Sequence, residues 1–146
     1  MLIKPVTEEE KKSWPKEVII KLEDSFLDSR GGIQPLVNLP IESCVIINSK
    51  KGTIRANHYH KTDWHYCYIL DGSIDYYHRP VNSLEPPEKV VIKKGQLFFT
   101  PPMVEHAMVF HEDTTFLTLG RNSRKQEVYE MDVVRKNLVS SDQVFK

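Results

Sequence analysis

Short runs rich in Val, Ile, Tyr and Phe recur along the chain at intervals of roughly ten residues, with turn-forming residues between them. This rhythm predicts strands over 17–22, 34–37, 43–48, 53–60, 64–70, 73–77, 89–92, 97–100, 106–110 and 115–119. Lys51-Gly52 and Lys94-Gly95 mark turns, and Asp71-Gly72 between two β-rich runs predicts a hairpin, because both turn positions favour positive φ. Pro86-Pro87 and Pro101-Pro102 lack the N–H that a helix or a central ladder needs, so they end elements. A 3.6-residue period shows only weakly, over 127–138. Residues 1–16 are polar and carry Pro5 and Pro15, which predicts an arm or short helix tacked to the body by Trp14. Residues 17–140 read as one barrel domain, followed by a tail over 141–146. Many short strands with no helices between them must close on themselves or pack as two sheets, since a lone sheet leaves an uncovered face. The expected fold class is all-β, a barrel or jelly roll.

Composition narrows the function more than the fold. At 146 residues and 17.0 kDa the chain is one domain, and 40% hydrophobic with 27% charged residues supports a packed core. Twenty basic and twenty acidic side chains cancel, which excludes a nucleic-acid binder working through a large basic field. No apolar stretch approaches the ~18 residues of a membrane span, and the start has no signal-peptide core. Cys44 and Cys67 form neither a CxxC pair nor a disulfide framework and sit in apolar runs. They are expected to be buried reduced thiols, with the cytoplasm as the compartment.

Candidate chemistry lies in the histidines. Five of the six fall between Asn57 and His111: His58, His60, His65, His78 and His106. His58 and His60 alternate with Asn57 and Tyr59 on a predicted strand, so both imidazoles share a face. His65 opens the next strand and His106 a later one, and a small barrel brings such side chains together. Three or four imidazoles in one place suit zinc, copper, iron or nickel. His78, beside Arg79 and Pro80, and His111, beside Glu112 and Asp113, read as solvated strand ends.

Two spacings resemble a known family. Gly52, five residues, His58-Tyr59-His60, four residues, His65, six residues and Gly72 resemble the first cupin motif, G(X)5HXH(X)3-4E(X)6G. Gly95, five residues, Pro101 and then His106 resemble the second, G(X)5PXG(X)2H(X)3N. His65 stands where that family has a metal-binding glutamate, Met103 where it has a glycine, and Phe110 where it has an asparagine. A narrower resemblance runs from about 28 to 138. Asp28-Ser29-Arg30-Gly31-Gly32 and Arg55-Ala56-Asn57-His58-Tyr59-His60-Lys61 are similar to the RG…RGxHAHK pattern of sugar-nucleotide cupins. Those RmlC-like proteins include dTDP-4-keto-6-deoxyhexose 3,4-ketoisomerases and dTDP-4-dehydrorhamnose 3,5-epimerases. Here Ala56 replaces the glycine of RGxH, and His65 stands where ketoisomerases have glutamine. The segment Tyr129-Glu130-Met131-Asp132-Val133-Val134-Arg135 is similar to the one that closes such proteins. The resemblance implies a cupin double-stranded β-helix with a short N-terminal arm.

Three functions follow as expectations. The first is a sugar-nucleotide isomerase or epimerase needing no cofactor. His58 and His60 would be its catalytic acid–base pair, and Arg55, His65, His106 and Arg135 would bind substrate. Tyr59, Tyr66 and Tyr68 alternate away from the imidazoles, and Trp64 with Phe98-Phe99 could stack a base or simply fill the core. The second is a metal cupin in which His58, His60, His65 and His106 hold one divalent transition metal that activates dioxygen or polarises a small oxygenated substrate. The third is a non-catalytic ligand-binding cupin. In each case the partners expected are a small molecule, in the first a nucleotide sugar, and a second copy of the chain in a homodimer, because the arm and the strand over 17–22 leave edges to cover. No nucleic acid or membrane partner is expected.

Overall fold

Two five-stranded antiparallel sheets face each other in the computed structural model, which describes residues 3–145. The first contains β1 (Ile19–Ile20), β4 (Ser43–Ser49), β6 (His65–Asp71), β9 (Leu97–Thr100) and β11 (Thr114–Gly120), in the order β1-β9-β6-β11-β4. The second contains β5 (Thr53–His60), β7 (Ser73–Pro80), β8 (Glu88–Lys93), β10 (Val104–Phe110) and β12 (Val133–Arg135), in the order β12-β5-β10-β7-β8. A separate hairpin joins β2 (Phe26–Asp28) to β3 (Gly31–Ile33). Three short helices, α1 (Glu8–Lys11), α2 (Gln126–Asp132) and α3 (Ser141–Val144), lie at the ends of the chain.

Alternation along each strand divides the side chains into three layers. Cys67, Ile69, Ile74, Tyr76, Ile92, Phe98, Phe110 and Phe116 pack between the sheets. Their strand neighbours Tyr66, Phe99 and Leu119 point outward from the first sheet, where Trp14 and Leu22 of the N-terminal segment cover them. Ala107 and Val109 point outward from the second sheet and are covered by Leu138, Val139 and the residues of the C-terminal segment. Each terminus is therefore a lid for one sheet. The arm is pinned by polar contacts as well: Arg121 Nε and Trp64 Nε1 both donate to Glu10 Oε2, at 2.6 and 3.0 Å.

Several expectations need correcting. Residues 34–37 form no strand, because Pro35 has no N–H for a ladder; Val37 packs onto the outer cluster as loop. Asp71-Gly72 is a turn, with Gly72 at φ +90°, but not a hairpin. β6 and β7 belong to opposite sheets, and the turn is the corner where the chain crosses between them. Gly52 (φ +84°) and Gly95 (φ +84°) make equivalent corners. The weak helical period over 127–138 covers α2 and then β12, which pairs with β5. Cys67 is buried, but Cys44 is exposed on β4, the outermost strand of its sheet. His78 is not a solvated strand end: it stacks on Tyr76 at 5.3 Å and is half-buried, whereas His111 is exposed and pairs with Asp75.

Candidate functional site

The inner face of β5 is set by a bulge. Ala56 and Asn57 both have positive φ, +70° and +53°, and the pairing of β5 with β10 slips between His106↔His58 and Ala107↔Ala56. One extra residue in a strand reverses the parity of everything beyond it. Arg55 therefore lines the cavity before the bulge, and His58 and His60 line it after. Asn57 is turned outward, where its amide bonds the backbone of Val139 and Leu138 and so ties the bulge to the C-terminal segment.

Four imidazoles meet in that cavity: His58, His60, His65 and His106. The His58 ring centre lies 4.7 Å from those of both His60 and His106, and His60 lies 5.0 Å from His65. Nitrogens of His58, His60 and His106 come within 4.8 Å of one another. His65 is turned aside, its Nε2 3.0 Å from Asp63 Oδ2. The floor beneath is apolar, with Met108, Phe116 and Cys67; burial pushes the Cys67 thiol up to about 12, so it stays protonated.

Hydrogen bonds fix which nitrogen of each ring carries its proton. His60 Nδ1 lies 3.2 Å from Asp132 Oδ2, and a carboxylate can only accept, so Nδ1 bears the hydrogen and Nε2 keeps a lone pair. His106 Nδ1 lies 3.1 Å from the Val104 carbonyl, with the same consequence. Burial, reinforced by the neighbouring rings, drives His58 far below the ordinary imidazole range and His106 down to about 3. His60 is also lowered by burial, although its bond to Asp132 works the other way. Asp132 is itself buried, which raises its pKa, but bonds from His60, Thr62 and the Asp63 N–H overcome this and hold it at about 2. His58, His60 and His106 thus face the cavity as neutral bases, His60 backed by a fixed anion.

Helix α2 supplies two residues that the sequence reading did not find. Asp132 is one. Tyr129 is the other, its ring 5.4 Å from His60 and 6.3 Å from His58, closing the cavity from above. Both fall in the closing segment 129–135, from which only Arg135 was expected at the site, because their partners are about seventy residues away in sequence. Arg135 lies outside the cavity lining, exposed, with both terminal nitrogens on Glu130. Arg55 lines the cavity and donates to Ser49 Oγ (2.7 Å) and the Asn48 carbonyl (2.9 Å). Trp64, Phe98 and Phe99 belong to the packed clusters, and Arg30 of the RG segment folds back on Asp28 in the β2–β3 hairpin.

Comparison with known proteins agrees with this architecture. No curated protein is matched by sequence. Among solved structures, a double variant of the QdtA 3,4-ketoisomerase of Thermoanaerobacterium thermosaccharolyticum, in complex with TDP, superposes with a TM-score of 0.65 at 19% identity, over 88% of this chain and 96% of that one. A variant of the same enzyme has been solved with TDP-4-keto-6-deoxyglucose. A 3,4-ketoisomerase from Helicobacter canadensis gives 0.63 at 18% identity, over 77% and 86%. The dTDP-4-dehydrorhamnose 3,5-epimerase of Sulfolobus tokodaii gives 0.57 at 16%, over 76% and 79%. The cupin domain family (Cupin_2) matches residues 45–119, just over half of the sequence and all of the strands from β5 to β10, so this chain belongs to the cupin family and shares the fold of its RmlC-like members.

Proposed function

We propose that this cupin is an isomerase or epimerase of a nucleotide-linked 4-keto sugar, working by histidine acid–base catalysis without a metal. The observation that carries this reading is the His60–Asp132 couple. A ketone acidifies the hydrogens on its flanking carbons, and a neutral imidazole with its lone pair on Nε2 is the base to take one. Asp132 holds the ring in that tautomer and stabilises the imidazolium formed when the proton arrives. The electron pair left on carbon moves onto the ketone oxygen as an enolate, which is an enediolate where that carbon bears a hydroxyl. Return of a proton to the opposite face of the same carbon completes inversion. Isomerisation requires the hydroxyl proton to pass to the former ketone oxygen while a proton is delivered to the former ketone carbon, and neither route consumes an oxidant. His58 and the Tyr129 hydroxyl are the remaining proton carriers against His60, and Arg55 stands at the wall to meet phosphate oxygens. The nucleotide-sugar ligands of the structural neighbours support this substrate class.

The test is solvent deuterium exchange into a dTDP-4-keto-6-deoxyhexose, with protein dialysed exhaustively against a chelator. Exchange beside the ketone is expected from the wild type. His60→Asn should reduce it by a factor on the order of 10²–10⁴. Asp132→Asn, which leaves the ring but frees its tautomer, should cost about 10–100-fold. Absence of both exchange and binding for every 4-keto sugar nucleotide tried would overturn the proposal.

The convergence of three imidazole nitrogens favours a second reading, a mononuclear metal cupin. His58, His60 and His106 would hold the ion, His65 being committed to Asp63, and the ion would polarise an oxygen of a small substrate. That reading expects activity to disappear on chelator dialysis and to return with one first-row metal. Either reading includes a homodimer.

A further inference from the structure

We infer that Arg124 is an anion-gripping residue of the cavity, the guanidinium that closes over the diphosphate of the ligand. Arg124 lies on the segment leading into α2, exposed, and it lines the same cavity as the imidazoles. Its guanidinium carbon sits 4.2 Å above the Tyr129 ring. Among the described residues it has no carboxylate within ion-pairing distance and no hydrogen bond. The adjacent arginines are differently placed: Arg121 is locked onto Glu10, and Arg135 onto Glu130.

The wall of the cavity explains what such a cation is for. Two guanidiniums, Arg55 and Arg124, line it, and no Asp or Glu does. Asp63 and Asp132 lie behind the imidazoles, where backbone N–H groups and the rings use their oxygens. The cavity therefore presents uncompensated positive charge at its wall above an uncharged, partly apolar floor. A ligand with a neutral reacting end and an anionic handle fits this polarity; a neutral or cationic molecule leaves the arginines unanswered. Arg55 donates two N–H groups to neutral acceptors and is fixed, whereas Arg124 rests on an aromatic face. A cation–π contact at an exposed site is weak beside a bidentate bond to phosphate, so a diphosphate would draw Arg124 off or across Tyr129 at little cost. The inference deepens the keto-sugar reading by assigning a second, movable phosphate contact beside the fixed Arg55, but depends only on the cavity's charge.

Calorimetric titration of the full chain with TDP and, separately, with inorganic pyrophosphate tests it. The variants are Arg124→Gln and, as a matched loss of one neighbouring charge outside the cavity, Lys125→Gln, with folding of each checked by circular dichroism. Arg124→Gln is expected to weaken both probes about tenfold or more and to make binding less salt-sensitive, whereas Lys125→Gln stays within about twofold. Pyrophosphate binding that Arg124→Gln leaves within about twofold of wild type overturns the inference, and TDP binding retained in that case leaves the keto-sugar reading standing. Arg124-dependent pyrophosphate binding without TDP binding upholds the inference and removes the nucleotide reading. Failure of both probes to bind the wild type overturns both.

Discussion

His58, His60 and His106 are all held below the ordinary imidazole value of 6.5 by burial, and the response to acid follows from that sign. As pH falls through about 6.5 the unfolded chain takes up protons at these positions while the folded chain refuses them. The stability they contribute is fully present above that pH and is lost progressively below it, at up to ~1.4 kcal/mol per pH unit for each ring. Urea unfolding should show a clearly lower midpoint at pH 5.5 than at pH 7.5, and His106→Asn should flatten the dependence. Equal midpoints would mean that the rings titrate as they do in the unfolded chain. At this scale the sequence was legible where a spacing carries the information. His58-x-His60 and the position of His106 relative to Pro101 were enough to name the imidazoles. Their tautomers were not legible, because Asp132 reaches His60 only through the folded chain, and the sideways turn of His65 depends on Asp63 being anchored by the Asn122 N–H.

Between the strands, the backbone carries demands that side-chain type alone does not reveal. Ala56, where the RGxH pattern has glycine, and Met103, where the second cupin motif has one, both have left-handed backbone, φ +70° and +61°. An L side chain there costs about 1–2 kcal/mol, partly offset by the lower entropy of its unfolded state. Ala56→Gly and Met103→Gly should each leave stability unchanged or raise it by up to about 1 kcal/mol, against the usual loss on introducing glycine. Gly72→Ala should do the reverse. A Cβ there would meet the Asp113 carbonyl at 2.6 Å and the Thr114 Cα at 2.8 Å, whereas at Gly95 it would meet nothing within 4 Å. Denaturant unfolding should therefore rank Gly72→Ala well below Gly95→Ala, and similar losses for the two would contradict the packed corner. Asp71-Gly72 misled as a hairpin because positive φ serves a tight hairpin and a sheet-to-sheet corner equally. The β2–β3 hairpin escaped notice for a different reason: three exposed residues a side show no inward–outward alternation.

For the molecule as a whole, pattern narrowed the fold to a barrel or jelly roll, and the cupin spacings chose the double-stranded β-helix that the ten strands of the two sheets form. What pattern does not give is how the outer faces are covered. Trp14 and Leu22 cover one sheet and Leu138 and Val139 the other. The β2–β3 hairpin covers nothing, with Phe26, Leu27 and Ile33 exposed to 62%, 74% and 65%. A two-stranded ribbon with that much apolar surface is not stable alone, and β4 is an open edge bearing the exposed Ile46. Both features support the proposed dimer. Light scattering at micromolar concentration should give twice the 17.0 kDa chain mass, and a monomeric value would refute it. The bond from Asp132 to His60 spans 72 residues and has a consequence for the order of events during synthesis. A ribosome delivers every strand through β11 before it delivers Asp132. The nascent chain can thus pair nearly all of its strands while His60 still lacks the anion that orients it. A product that stops before Asp132 would keep β1, β4–β11 and the imidazoles they carry without the anion that orients His60, so under the proposed acid–base reading the base is completed only after the barrel strands carrying it have been made.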